Sequence, residues 1–136
     1  MKIEHANITV QSIAKTQQFL QTAFPDFRLR GKGQLQSQTG RWAHIGNDET
    51  YISIQETDPH RPTKRTAYLD DGLNHLGFIV ENLDTINQRL EAKGYIHSSD
   101  PENSKYRRRS YYTDENGIEW EFVQYNSQDP KLRNHY

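Results

Sequence analysis

Cysteine is absent from the 136 residues, so disulfides, thiolate metal ligands and a cysteine nucleophile are all excluded. A surplus of either charge is missing too. The chain has 17 Lys and Arg against 18 Asp and Glu, a formal net charge of −1 with the signs interspersed. That leaves no electrostatic footprint for nucleic acid or for an acidic membrane surface. No apolar run approaches the length of a membrane span, and the opening MKIEHANITV has no secretory pattern. A soluble cytoplasmic protein is the expectation. Hydrophobic residues make up only 32% of the chain, so a second subunit is expected to add to its stability. The length suits one compact domain, or two very small modules sharing a core.

What is present is a repeat. When the sequence is slid against itself by 70 positions, residues 3–10 (IEHANITV) lie over residues 73–80 (LNHLGFIV). His5 then matches His75, and Val10 matches Val80. Ser12 lies over Asn82, both favoured helix N-caps. Behind them, Ile13, Leu20 and Phe24 predict one helical face, and Leu83, Ile86 and Leu90 another. Pro25 stops the first helix and Gly94 the second. With a slip of two, residues 41–56 lie over residues 109–124, each reading as strand, polar turn, strand. The turns fall at Asn47–Glu49 and around Asn116-Gly117, the latter a strong hairpin signal. A further strand is expected near Phe27–Gly31 and near Tyr95–Ser98. The two modules therefore run over about 1–56 and 73–125. Residues 57–72, rich in proline and charge, read as a linker. The tail after Tyr125 reads as loop or a short helix.

Alternate side chains of a strand point to opposite sides. Ala6, Ile8 and Val10 share one face, leaving His5, Asn7 and Thr9 on the other. Leu76, Phe78 and Val80 oppose His75, and Ile118, Trp120 and Phe122 oppose Glu119 and Glu121. If the apolar faces pack under the helices, His5, His75 and Glu121 share a concave surface. Two imidazoles and a carboxylate suit one divalent ion such as Mn, Fe, Ni or Zn. Glu119, on the same face, is the competitor for Glu121. The repeat places Ser53 opposite Glu121, and a neutral serine is a poor ligand. Three protein ligands with open positions are what catalysis at a metal requires. Asn7 and Thr9 lie on the pocket face. The run Arg107–Arg109 could steer an anionic substrate toward Tyr111 or Tyr112, although a short charge run is more often solvated. His44, His60, His97 and His135 have no matching partners and read as surface groups; Trp42 and Trp120 read as packing residues.

The segments IEHANITVQS, LNHLGFIV and DENGIEWEF together resemble the vicinal oxygen chelate superfamily, over nearly the whole chain from Ile3 to about Tyr125. That superfamily includes glyoxalase I, fosfomycin-resistance thiol transferases, bleomycin-resistance proteins and extradiol dioxygenases. The resemblance implies an α+β fold. Two βαβββ modules would form a cupped, mostly antiparallel mixed sheet with helices on its outer face. It implies Glu121 as the ligand glutamate, four residues after the turn glycine. It also implies a homodimer in which His5 of one chain joins His75 and Glu121 of the other. Ser53 stands where four-ligand glyoxalases carry their fourth ligand, so the set is closer to the fosfomycin transferases and the dioxygenases. The implied function is a metal-dependent enzyme acting on a small oxygen-chelating substrate. It would be glyoxalase I-like, or a thiol transferase with a thiol co-substrate. Glu121 and Glu119 are its candidates for proton transfer, and Ser53, Arg109 and Tyr111 join Asn7 and Thr9 in the pocket. The alternative is a metal-free binding protein of the bleomycin-resistance type, and a weaker one an extradiol dioxygenase.

Overall fold

The computed structural model describes residues 3–35, 40–56, 58 and 65–133. It divides into two compact units, Met1–Arg65 and Thr66–Tyr136. Unit 1 runs β1 (His5–Val10), α1 (Ile13–Ala23), β2 (Arg28–Gln34), β3 (Arg41–Gly46) and β4 (Tyr51–Glu56). Unit 2 runs β5 (His75–Ile79), α2 (Leu83–Ala92), β6 (Glu102–Asn103), β7 (Arg107–Thr113), β8 (Glu119–Tyr125) and a short α3 (Pro130–Arg133). Each unit is a βαβββ module with one four-stranded sheet, ordered β1-β4-β3-β2 and β5-β8-β7-β6. In each sheet the first and last strands pair in parallel and the remaining pairs are antiparallel. The α+β architecture read from the sequence is the one observed.

The repeat extends to the register. His5 pairs with Tyr51 and Asn7 with Ser53; His75 pairs with Glu119 and Gly77 with Glu121. The first strands are thus offset by 70 residues and the last by 68, the slip of two seen in the sequence.

The helix of each unit packs on the apolar face of its own sheet. In unit 1, Ile8, Val10, Ala43, Ile45, Ile52 and Ile54 meet Phe19, Leu20 and Ala23. The buried stripe of α1 is Thr16, Phe19, Leu20 and Ala23, with Ile13 and Phe24 only half-buried. The stripe therefore differs from the expected Ile13, Leu20 and Phe24. A buried threonine and an alanine carry no apolar signal strong enough to mark it. In unit 2 the expected Leu83, Ile86 and Leu90 are all buried, over Trp120, Phe122 and Tyr112.

The helix ends follow local chemistry. Asn82 accepts a hydrogen bond from the Thr85 N–H at 3.0 Å, as an N-cap should. Ser12 occupies the matching position without a side-chain cap bond. After α2, Gly94 takes φ +86, and Tyr95 N–H returns to the Leu90 carbonyl at 3.1 Å. The β7–β8 turn is closed by Asp114, whose Oδ1 accepts from the N–H groups of Asn116 and Ile118 at 2.9 and 3.0 Å. Gly117 supplies the positive φ of 78° in that turn.

Two boundaries differ from the sequence reading. The strand expected at Tyr95–Ser98 is reduced to a single bridge between His97 and Tyr112, and the paired strand is β6, farther along. The expected linker 57–72 lies partly outside the described residues; from Thr66 onward it belongs to unit 2. No helix among the described residues is long and apolar enough to cross a membrane.

Candidate functional site

Unit 2 gathers its polar side chains on the sheet face opposite α2. His75 on β5 and Glu121 on β8 approach through His75 Nε2 and Glu121 Oε2, 3.2 Å apart. Their side chains are 34% and 12% exposed, so the pair is sheltered yet reachable. Gly77, directly across the ladder from Glu121, makes the approach feasible. A Cβ there would stand 3.1 Å from Glu121 Oε2.

Every other polar atom of the pair is occupied. Glu121 Oε1 accepts from the Tyr111 hydroxyl at 2.7 Å and from Arg109 at 3.4 Å. On the far side of the imidazole, His75 Nδ1 lies 2.9 Å from the Tyr68 hydroxyl oxygen. Tyr68 donates its own proton to Glu119 Oε2, and Glu119 Oε1 accepts from Ser98 Oγ at 2.6 Å. With the phenol proton committed to Glu119, the phenol oxygen accepts from Nδ1–H. His75 Nε2 is then left to face a carboxylate oxygen. A bare ring nitrogen and a carboxylate oxygen are both acceptors, so a proton or a cation has to stand between them.

A divalent ion suits that position. Donors held about 2.0–2.2 Å from a metal lie roughly 2.8–3.6 Å from each other at octahedral or tetrahedral angles, a range that includes the observed 3.2 Å. A neutral imidazole with its other nitrogen hydrogen-bonded, and a carboxylate with its other oxygen hydrogen-bonded, is the usual supporting shell of such ligands. Among the described residues no three His, Asp or Glu side chains form a complete metal cage. Unit 2 therefore offers a two-donor arrangement.

The electrostatics keep both tyrosines as donors. Burial, and then the bond to Glu119, pushes the Tyr68 phenol up to about 12. Burial, and then Glu121, pushes Tyr111 up as well. Arg109 in turn holds Glu102 below the ordinary carboxylate range through their hydrogen bond.

In unit 1, His5, Asn7, Thr9 and Ser53 share the face opposite α1. Asn7 and Thr9 are exposed and Ser53 is buried. His5 Nδ1 pairs with Glu4 and lies 3.1 Å from the Tyr51 hydroxyl, which also donates to Glu4 at 3.2 Å. Its ring stacks on Tyr51 at 4.8 Å, and the row continues through His44 to Trp42 at 4.8 Å steps. Trp42 lies against Gly33, where a Cβ would come within 2.7 Å of the indole nitrogen.

Several expectations change. The arginine run is paired, not solvated, because alternation along β7 sends its members to waiting carboxylates. Arg107 and Arg109 meet Glu102 on the site face, and Arg108 meets Asp84 of α2 at 3.0 Å on the other. Tyr112 is fully buried beneath α2 and is no pocket residue. His44 is half-buried in the aromatic row. His97 is bonded through Nε2 to the Tyr112 hydroxyl at 3.0 Å and to Glu91 at 3.2 Å. Neither is a free surface group. His60 and His135 lie outside the described residues. Sequence reasoning gave no part to Tyr68, Ser98, Tyr51 or Glu4. Only Tyr51, by strand parity, and Glu4, by adjacency to His5, left a trace there.

A family model described as Glyoxalase/Bleomycin resistance protein/Dioxygenase superfamily matches residues 2–122. No curated protein matches the sequence. Among solved structures, a glyoxylase/bleomycin resistance protein/dioxygenase domain from Frankia sp. EAN1pec is similar at TM-score 0.78. It is 20% identical, with 95% of each chain covered. The fosfomycin resistance protein FosX from Listeria monocytogenes, crystallised with Mn(II) and sulfate, is similar at TM-score 0.66 and 18% identity, covering 96% of this chain and 97% of that one. TnmS3, an antibiotic binding protein from Streptomyces sp. CB03234, is similar at 0.66 and 16%, covering 93% and 97%.

Proposed function

The chain belongs to the Glyoxalase/Bleomycin resistance protein/Dioxygenase superfamily, and from that premise we propose that it is a divalent-metal-dependent enzyme acting on a small substrate that chelates through adjacent oxygens. His75 and Glu121 are two of the ligands, and His5 of a second chain, the repeat counterpart of His75, is the third, as the family resemblance implies. The observation that supports this is the 3.2 Å approach of His75 Nε2 to Glu121 Oε2, with every other donor and acceptor of both groups already engaged. Mn, Ni, Zn or Fe suits two imidazoles and a carboxylate. Such an ion supplies Lewis-acid stabilisation of the negative charge that develops on substrate oxygens.

The chain's own residues do the rest. Tyr111 and Arg109 hold Glu121 in one rotamer, so its second oxygen stays aimed at His75. Glu119, with both oxygens accepting hydroxyl protons, takes up or releases a proton by way of Tyr68 or Ser98. Asn7 and Thr9, both exposed, offer hydrogen bonds to a substrate from the face of unit 1. The reaction class is isomerisation of a thiol adduct, as in glyoxalase I, or addition of a thiol to an epoxide. A thiol co-substrate, a homodimer and a cytoplasmic location belong to the same reading.

The test is metal analysis of the purified protein, beside His5→Ala, His75→Ala and Glu121→Gln. About one transition-metal ion per chain is expected in the wild type and much less in each variant. Wild-type affinity in all three variants would sink the proposal.

A second reading has its own observation. The row Trp42, His44, Tyr51 and His5 presents aromatic faces on one side of the unit 1 sheet, a surface suited to stacking a planar drug without any metal. Drug protection insensitive to a chelator, and lost in Trp42→Ala, would favour it over the enzyme.

A further inference from the structure

Tyr68 is the residue for which the ligand pair alone gives no account. Among the described residues it is the one non-glycine with a left-handed backbone, at φ 66°. For a bulky aromatic residue that conformation is strained and persists only where the surroundings impose it. Two anchors impose it here. The Tyr68 N–H donates to Asn74 Oδ1 at 2.8 Å, and the hydroxyl is held between His75 Nδ1 and Glu119. The residue is 58% exposed, so core packing does not explain the strain.

Unit 1 builds the same trio from different places. His5 Nδ1 pairs directly with Glu4 and lies 3.1 Å from the Tyr51 hydroxyl, which also donates to Glu4. In unit 1 the tyrosine is the histidine's cross-strand partner and the carboxylate is its chain neighbour. In unit 2 the cross-strand partner is the carboxylate, Glu119, and the tyrosine arrives from the segment before β5. Histidine, phenol and carboxylate recur although the repeat does not supply them at matching positions. A merely structural contact would not be expected to be rebuilt in this way.

Resting on the ligand reading above, we propose that Tyr68 is a positioning residue. Its hydroxyl oxygen accepts a hydrogen bond from His75 Nδ1–H and its O–H donates to Glu119, fixing the tautomer whose bare Nε2 points at Glu121, while in unit 1 Glu4, itself hydrogen-bonded by Tyr51, holds Nδ1 of His5 directly. The orienting hydrogen bond on the far nitrogen of a ligand histidine sets both ring direction and basicity, and its loss typically weakens metal binding 10–100-fold.

The experiment compares wild type, Tyr68→Phe and Tyr68→Leu, with Glu121→Gln as reference. In metal-free protein carrying Glu121→Ala, so that no carboxylate faces Nε2, and at a pH where the imidazoles are neutral, nitrogen-15 correlation spectra report which nitrogen of His75 carries the proton. With Tyr68 present the proton is expected on Nδ1, and both Tyr68 substitutions are expected to shift it toward Nε2. In a parallel Zn titration, Tyr68→Phe is expected to lose about 10-fold or more in affinity, with its melting temperature close to that of the wild type. An unchanged tautomer, or unchanged affinity in a wild type that binds Zn, overturns the inference. If the wild type takes up no metal at all, the ligand reading fails, and the tautomer measurement still decides the role of Tyr68.

Discussion

Glu56 and Gln124 do the same work at the same place in their modules: Glu56 Oε2 accepts from the Ile13 N–H at 2.9 Å, and Gln124 Oε1 accepts from the Leu83 N–H at 2.8 Å. Each helix thus has an orphan N–H at its start satisfied by the last strand of its own sheet. The bond ties helix to sheet as well as capping the helix. Removing it with Glu56→Ala or Gln124→Ala is expected to cost about 1–2 kcal/mol each. Denaturant unfolding checks this, and a change below the error of the method in both variants would show that the bonds contribute nothing.

The two caps differ in one respect, because only Glu56 can take up a proton. Burial pushes its carboxyl up, but the Arg41 guanidinium and the Ile13 N–H together pull it below the ordinary value of 4.5. A lowered folded-state value means stability that is present above the unfolded value and is lost as pH falls through the folded one. The stability difference between wild type and Glu56→Gln is therefore expected to hold steady near neutrality and to shrink as pH drops below about 4.5. A difference that grows with acid would contradict the assignment.

Gly77→Ala tests the site geometry without touching a ligand. The added methyl would press on Glu121 Oε2 from 3.1 Å, and Tyr111 and Arg109 restrain the carboxylate from turning away. Metal affinity is expected to drop about 10-fold or more, an effect of the size seen when ligand orientation is disturbed. The melting temperature should move by only a few degrees. Calorimetric titration with Zn or Mn beside thermal unfolding separates the two effects.

Asp114 is buried and holds two N–H groups of the β7–β8 turn. Asp114→Ala leaves both without that acceptor, at an expected cost of about 1–3 kcal/mol. Since the turn sets the register that brings Tyr111 opposite Glu121, a mis-set turn should also weaken metal binding. Asp114→Asn, which keeps an acceptor oxygen, should retain most of the stability.

The sequence disclosed what repeats and what alternates. The offset that aligns His5 with His75 survives as the strand register, and parity along β5 and β8 put His75, Glu119 and Glu121 on one face, where they are found. The stripe of α2 was legible because leucine and isoleucine mark it; that of α1 was not, because Thr16 and Ala23 look alike whether buried or exposed. Tyr68 was invisible for a different reason. It comes from a segment with no period, and it reaches His75 through a backbone conformation that tyrosine rarely adopts. Strand parity puts Glu56 on the apolar side, and it sits at the strand's end, where that side meets the start of α1.

Ser53 and Glu121 occupy equivalent rungs, yet their neighbours across the ladder differ: Asn7 faces Ser53, whereas Gly77 faces Glu121. Glu121 needs the space that a missing side chain leaves. A glutamate introduced at 53 would meet the Asn7 amide where its counterpart meets open backbone. Gaining a fourth carboxylate donor therefore takes two simultaneous replacements, Ser53→Glu with Asn7→Gly, and neither alone is a step toward it. Between the two halves of this duplicated chain, the partners across the ladder change together: a glycine faces the acid in one half, and an asparagine faces a serine in the other.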